Sequence, residues 1–92
     1  MGIYITGINL GDKVYHLGQV RGLGYNGRLI VKGNFAPRIE LEVLDNTKMV
    51  IGRIARVFGP VESPYISIKL PRNHRPSLDI VGKEVYVRER LR

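Results

Sequence analysis

The chain has 92 residues, a mass of 10.4 kDa and a net charge of +7, with 15 Lys and Arg side chains against 8 Asp and Glu. Its 43% hydrophobic and 25% charged residues suit one small folded domain and argue against a disordered chain. The lack of Cys excludes disulfides and thiolate zinc sites, and His16 and His74 lack metal-ligand spacing, so we expect no metal and no cofactor. No apolar run reaches the roughly 18 residues of a membrane span, so we expect an intracellular protein without a membrane partner.

Apolar and polar residues alternate with period two along the chain, which predicts β-strands rather than helices. The first two strand segments are joined through Asn26-Gly27, a strong short hairpin signal. In chain order the segments span residues 13–22, 28–32, 39–43, 49–58, 65–70 and 83–88. Because no helical segment is long enough to cover a sheet, the strands must pack on one another. The pattern predicts an all-β fold, a small antiparallel β-barrel of about six strands. We expect one domain over residues 1–92: an N-terminal extension at 1–11, the barrel at 12–88 and a basic tail at 89–92.

Residues 49–58 are the exception to clean alternation, because apolar side chains occupy both predicted faces. Val50 and Ile54 are expected on one face, opposite a second set on the other. That second set is Met49, Ile51, Ala55 and Val57. We expect one of these faces to contact something other than the core.

Arrangements typical of enzymes are missing from the sequence. Gly22, Gly24 and Gly27 match the spacing of a dinucleotide-binding loop, but a strand follows them where that fold needs a helix. The Ser residues have no base and orienting group in a recognisable arrangement, and Glu40 and Glu42 lie on the polar face of a predicted strand. We therefore expect no catalytic residues.

The most informative segment is Phe58-Gly59-Pro60-Val61 followed by Pro64-Tyr65. A Gly-Pro turn links two predicted strands, and a proline at the start of the second strand prevents regular pairing there. The result is a rigid, apolar corner. Two readings are open on physical grounds: an ordinary tight connection with Phe58 inside the barrel, or an exposed docking patch.

This segment resembles the Gly/Arg-rich-protein (Gar) subunit family of H/ACA ribonucleoproteins. The V-F-G-P-V sequence followed by P-Y is the specific part, and the resemblance covers about residues 13–87. The matching residues are Leu29, Ile30, Val31, Pro37, Asp45, Gly52, Val57 to Val61, Pro64, Tyr65, Ser67, Ile68, Lys69, Val81, Gly82, Lys83, Tyr86 and Val87.

The resemblance implies a six-stranded barrel like the second domain of translation factors. It also implies a non-catalytic partner of the pseudouridine synthase subunit in guide-RNA-directed modification of ribosomal RNA, acting on substrate loading and release through a mobile synthase loop. RNA contact would then be mostly indirect. The partner-binding residues expected on this basis are Arg53, Arg56, Phe58, Gly59, Pro60, Val61, Pro64 and Tyr65.

Two features depart from the family pattern. Arg56 stands where the family usually has an acidic residue, so one charge contact with the partner is reversed or lost. Arg21-Gly22 is the single Arg-Gly step, which suggests the compact archaeal form without Gly/Arg-rich tails. We accordingly expect a cytoplasmic protein, or a nucleolar one if the source is eukaryotic, with weak self-association when isolated.

The alternative is a small basic barrel that binds RNA directly. Tyr65 or Tyr86 would then stack on bases. The phosphate contacts would come from Arg53, Arg56, Lys69, Arg72 and Arg75, of which Lys69, Arg72 and Arg75 are also the RNA-proximal candidates in the docking reading. The charge supports this alternative, but seven scattered aromatic residues do not form a stacking array.

Overall fold

The computed structural model describes residues 12–24, 26–72 and 78–90. Six antiparallel strands close into a barrel in the order β1-β2-β5-β4-β3-β6, and β6 pairs back to β1. The elements are β1 (Asp12–Leu23), β2 (Leu29–Gly33), β3 (Glu42–Leu44), β4 (Val50–Phe58), β5 (Tyr65–Lys69), a 3-10 helix (Leu78–Ile80) and β6 (Glu84–Arg90). The predicted all-β barrel is confirmed. Within these described ranges, no helix has the length and apolar character needed to cross a membrane.

The core follows from the alternation of the strands. Ile66 and Ile68 of β5 and Val85 and Val87 of β6 face inward, in keeping with the period of two, and each is completely buried. A fully buried aliphatic side chain contributes about 1.5–3 kcal/mol relative to an exposed one, so this inward set is the main stabilising term. Its members are Leu17, Val20, Leu29, Val31, Val43, Leu44, Ile51, Ile54, Ile66, Ile68, Val85 and Val87.

Two β-bulges explain the apolar residues on both predicted faces of β4. The register shifts opposite β3 around Ile51 and opposite β5 around Ala55, so each ladder has one extra β4 residue. Because a bulge breaks the period of two, Ile51 and Ile54 are both buried, while Met49 and Val50 are exposed. The predicted separation into a Val50–Ile54 face and an opposite face was therefore wrong.

The strand predicted at residues 39–43 begins later than expected. Glu40 has a left-handed backbone with φ of 75°, and Ile39 is half exposed. Glu40 N donates to Ile54 O and Ile54 N donates to Leu41 O, so a turn holds this segment against β4. Regular pairing of β3 starts only at Glu42. Glu40 therefore lies in a turn and not on the polar face of a strand.

The ends of the barrel differ slightly from the predicted boundaries. β6 continues through Glu89 and Arg90, which pair with Lys13 and Asp12, two residues beyond the expected end of the barrel. The predicted N-terminal extension at residues 1–11 lies outside the described residues.

Candidate functional site

The Phe58–Tyr65 corner is exposed on the outside of the barrel. Phe58 ends β4, Tyr65 begins β5, and the two are paired in register across the ladder. Their rings stack with centroids 5.9 Å apart and an interplanar angle of 24°. Phe58 is 41% exposed, Tyr65 38%, and Val61 in the loop between them 78%. Phe58 is therefore not inside the barrel, and the chain presents a compact apolar surface to solvent.

The loop between β4 and β5 is held by hydrogen bonds to β2. Gly59 has φ of 92°, a backbone conformation that favours glycine, and Ser63 N donates to Pro60 O to close a turn. Ser63 Oγ donates to Gly33 O at 3.0 Å, and Gly33 N donates to Pro64 O at 2.8 Å. Pro64 is fully buried, so it anchors the corner and offers no surface to a partner. These bonds fix the exposed side chains in place before any partner binds.

Two cations contact the aromatic pair. Lys32 Nζ lies 4.1 Å from the centroid of the Tyr65 ring and donates to Ser63 O at 2.6 Å. Arg56 Cζ lies 5.7 Å from the centroid of the Phe58 ring, within the range of a cation–π contact. Lys32 approaches Tyr65 from β2 and Phe58 approaches it from β4. Lys32 and Phe58 therefore contact the Tyr65 ring from the two strands that flank β5.

The structure describes three further predicted site residues, Arg53, Lys69 and Arg72. Arg53 and Lys69 are register partners on β4 and β5, and Arg53 reaches Glu42 at 3.5 Å and the Glu40 carbonyl oxygen at 3.3 Å. Arg72 is exposed in the segment after β5. Arg75 lies outside the described residues.

Sequence reasoning missed Lys32, which the barrel closure places beside Tyr65. β2 and β5 are adjacent although two strands separate them in the sequence, so no local pattern indicates this contact. Tyr86, the second stacking candidate, lies on β6 with Lys48 Nζ 4.3 Å from its ring centroid and His16 beside it. It is not part of the Phe58–Tyr65 corner.

Charged residues divide the barrel into two halves of three adjacent strands. The cationic half comprises β2, β5 and β4, whose sequences contain four cations and no acidic residue. The balanced half comprises β3, β6 and β1, whose sequences contain four cations and four acidic residues. The Phe58–Tyr65 corner lies in the cationic half.

Two side chains of types that catalysis uses, His16 and Ser63, have other partners in the structure. His16 contacts Glu84 and Asn34 rather than a serine, while Ser63 Oγ bonds a backbone carbonyl. Within the ranges that the structure covers, no group of three or more His, Asp or Glu could hold a metal ion.

Comparison with known proteins finds a relative by sequence and a solved structure with a similar fold. No profile of a known protein family matches the sequence. A protein of Methanothermobacter thermautotrophicus described as an uncharacterized protein is 32% identical over 73 residues, covering 77% of this chain and 79% of that protein. The Gar1 domain of NAf1 superposes with a TM-score of 0.68 at 17% identity, covering 89% of this chain and 92% of that one. The chain therefore belongs to one family with the Methanothermobacter protein, and its barrel has the fold of the Gar1 domain of NAf1.

Proposed function

We propose that this protein is a non-catalytic subunit of an H/ACA-type ribonucleoprotein that binds the pseudouridine synthase subunit through the Phe58–Tyr65 corner. The observation that carries the proposal is the exposed, stacked Phe58–Tyr65 pair beside Val61, held rigid by the bonds to β2. The V-F-G-P-V and P-Y sequence on which the family resemblance rests is the segment that forms this corner. The fold shared with the Gar1 domain of NAf1 supports the same assignment.

The size and shape of the corner suit a protein partner. Rigid aromatic side chains at the centre of a patch, with charged residues around them, are the usual anatomy of a protein interface. A standard interface buries about 800 Å² on each partner. The chain exposes 6366 Å², so one side of the barrel is sufficient.

A binding experiment with and without guide RNA tests the proposal. We expect the isolated protein to bind the synthase subunit of the same organism directly, and Tyr65→Ala combined with Val61→Asp to weaken binding by at least about 2 kcal/mol. Tyr15→Ala is a matched control, because Tyr15 is also 38% exposed but lies on β1, where it contacts Phe35. Circular dichroism verifies the fold of each variant. Unchanged affinity in the folded double variant, or dependence of binding on RNA, contradicts the proposal.

The proposed effect on the synthase is a change in the equilibrium of a mobile loop. A partner shifts such an equilibrium only through its different affinity for the two loop states, so it should change turnover more than guide-RNA binding. Comparing single-turnover with multiple-turnover pseudouridine formation, with and without this subunit, measures the effect. Equal rates despite complex formation leave only a structural role. The relative in Methanothermobacter thermautotrophicus supports an archaeal particle, for which we propose a cytoplasmic location.

Direct RNA binding is the second candidate, favoured by the four cations of the cationic half. Base stacking, however, needs a free ring face, and the Tyr65 ring already contacts Lys32 and Phe58. We therefore expect the isolated protein to bind guide or ribosomal RNA weakly and without sequence preference in a filter-binding titration at physiological salt. Sub-micromolar, sequence-selective binding would favour this second candidate.

A further inference from the structure

The strongest unexplained feature is the uncompensated charge around the Phe58–Tyr65 corner. The four cations of the cationic half are Lys32, Arg53, Arg56 and Lys69, and no Asp or Glu occurs on the same three strands. Among the residues that the structure describes, Lys32, Arg56 and Lys69 form no ion pair. Glu62, an exposed loop residue between β4 and β5, pairs with none of them either.

The arrangement of these cations is unfavourable for the isolated protein. Arg53 and Lys69 are direct register partners, and like charges opposite each other destabilise a sheet. Within the described ranges, Arg53 forms a single ion pair, with Glu42. The Glu42 carboxylate also accepts a hydrogen bond from Arg88 Nε at 2.9 Å. Lys32 also holds the β4–β5 loop through Ser63 O, so it is for Arg56 and Lys69 that folding alone gives no reason for the positive charge.

Two of the four cations lie next to the exposed aromatic rings of the Phe58–Tyr65 corner. Lys32 and Arg56 each lie against a ring of the stacked pair, so both charges border the side chains that a partner would cover. A buried apolar centre with charges at its rim is how interfaces obtain affinity and electrostatic selectivity together. An anionic surface opposite Lys32 and Arg56 would supply the compensation that the chain lacks.

We infer that the partner surface covering the Phe58–Tyr65 corner is acidic, with carboxylates facing Arg56 and Lys32 around an apolar pocket. This inference rests on the proposed function and adds the charge of the synthase surface and the residues that select it. Protein carboxylates fit better than RNA phosphates, because the centre of the patch is apolar and the Tyr65 ring already contacts Lys32 and Phe58.

Charge reversal combined with a salt series tests the inference. Arg56→Glu is the main variant, because the one described side-chain contact of Arg56 is with the Phe58 ring; Arg56→Gln removes the charge without reversing it. Lys13→Glu makes the same change in net charge at an exposed β1 position that pairs with β6, away from the corner. Affinity for the synthase subunit is measured by calorimetry between about 50 mM and about 500 mM salt, where the screening length falls severalfold.

We expect Arg56→Glu to weaken binding at least about 10-fold at low salt, Arg56→Gln to have a smaller effect, and both differences to shrink at high salt. Lys13→Glu should stay within about 2-fold of the wild type, since it lies outside the interface. Wild-type binding that is insensitive to both salt and Arg56 reversal overturns the inference while leaving the proposed function intact. No wild-type binding at any salt overturns both. Loss of RNA binding in Arg56→Glu with unchanged synthase binding overturns the inference in favour of a phosphate ligand.

Discussion

The two halves of the barrel use their charged residues differently. In the balanced half, Arg88 of β6 is only 7% exposed and bonds Glu42 of β3, while Glu84 pairs with His16 and Glu89 with Arg38. In the cationic half, Lys32 and Arg56 border exposed aromatic rings, and Arg53 is the one cation of the four with an ion pair among the described residues. Glu42, Glu84 and Glu89 thus each pair with a basic side chain, whereas Lys32, Arg56 and Lys69 have no acidic partner in the described part of the chain.

The burial of Arg88 is what gives the balanced half its structural role. A buried cation costs several kcal/mol unless a carboxylate and further hydrogen bonds compensate it. β3 contains only three residues, so the Glu42–Arg88 contact adds to a short ladder between β3 and β6. Exposed cations such as Arg56 carry no comparable cost, because water solvates them.

Removal of Glu42 should give the largest effect on folding. We expect Glu42→Ala to lower the free energy of unfolding by about 3 kcal/mol, because it removes the carboxylate that compensates a buried guanidinium. Arg56→Gln, in the cationic half, should change stability by less than about 0.5 kcal/mol. Urea denaturation followed by circular dichroism measures both.

The affinities of the same two variants for the synthase subunit should show the opposite pattern. Folded Glu42→Ala should retain wild-type affinity for the synthase subunit, and Arg56→Gln should not. If both variants lose stability and affinity together, the division of the barrel into two functional halves is wrong.

A smaller loss of stability is expected from substitution of Gly52, because the backbones of β4 and β5 lie close together at this residue. A Cβ there would lie 2.9 Å from Ile68 Cγ2 and would overlap the Lys69 carbonyl oxygen on β5. We expect Gly52→Ala to cost about 2 kcal/mol, since the β4–β5 ladder must move to accommodate it. Gly22→Ala is the control, because nothing lies within 4 Å of a Cβ at that position. Equal stability of the two variants would show that the strands separate without cost.

Local sequence patterns predicted most of the strands and located the corner, but they left open whether Phe58 is buried or exposed and did not indicate what surrounds the corner. Alternation identifies Ile66, Ile68, Val85 and Val87 as inward residues, and the short loop after Phe58 brings Tyr65 beside it. Bulges at Ile51 and Ala55 break the alternation in β4, and the alternation itself does not show where they occur.

The features that local patterns did not predict depend on contacts between strands that are distant in sequence. The pairing of Lys32 with Tyr65 requires knowing that β2 lies next to β5, and the bond between Arg88 and Glu42 requires that β3 lies next to β6. Neither neighbour is adjacent in sequence. The charge difference between the halves therefore becomes visible only when the strand order is known.

Asp45 lies in the turn between β3 and β4, one of the connections between the two halves. Burial alone would raise the pKa of its carboxyl group, but hydrogen bonds from the Thr47 hydroxyl and from the backbone N–H groups of Met49 and Thr47 outweigh burial and hold that pKa below its ordinary value of 3.8. The folded state therefore favours the ionised carboxylate. Its contribution to stability is fully present above the ordinary pKa and is lost as the pH falls through the lowered one.

The smallest predicted effect is the dependence of stability on pH that is caused by Asp45 in the turn between β3 and β4. Asp45→Asn keeps an acceptor but loses the charge, so we expect it to be about 1 kcal/mol less stable than the wild type at neutral pH. The difference should narrow as the pH falls below about 4, because the wild-type carboxylate then takes up a proton and loses the same advantage. Urea denaturation of both proteins at several pH values measures this difference, and subtracting the curves removes the contributions of the other carboxylates. If the stability difference between the two proteins stays constant down to the lowest pH, the turn depends on the shape of the Asp45 side chain and not on its charge. The contribution of this turn to stability would then be independent of pH.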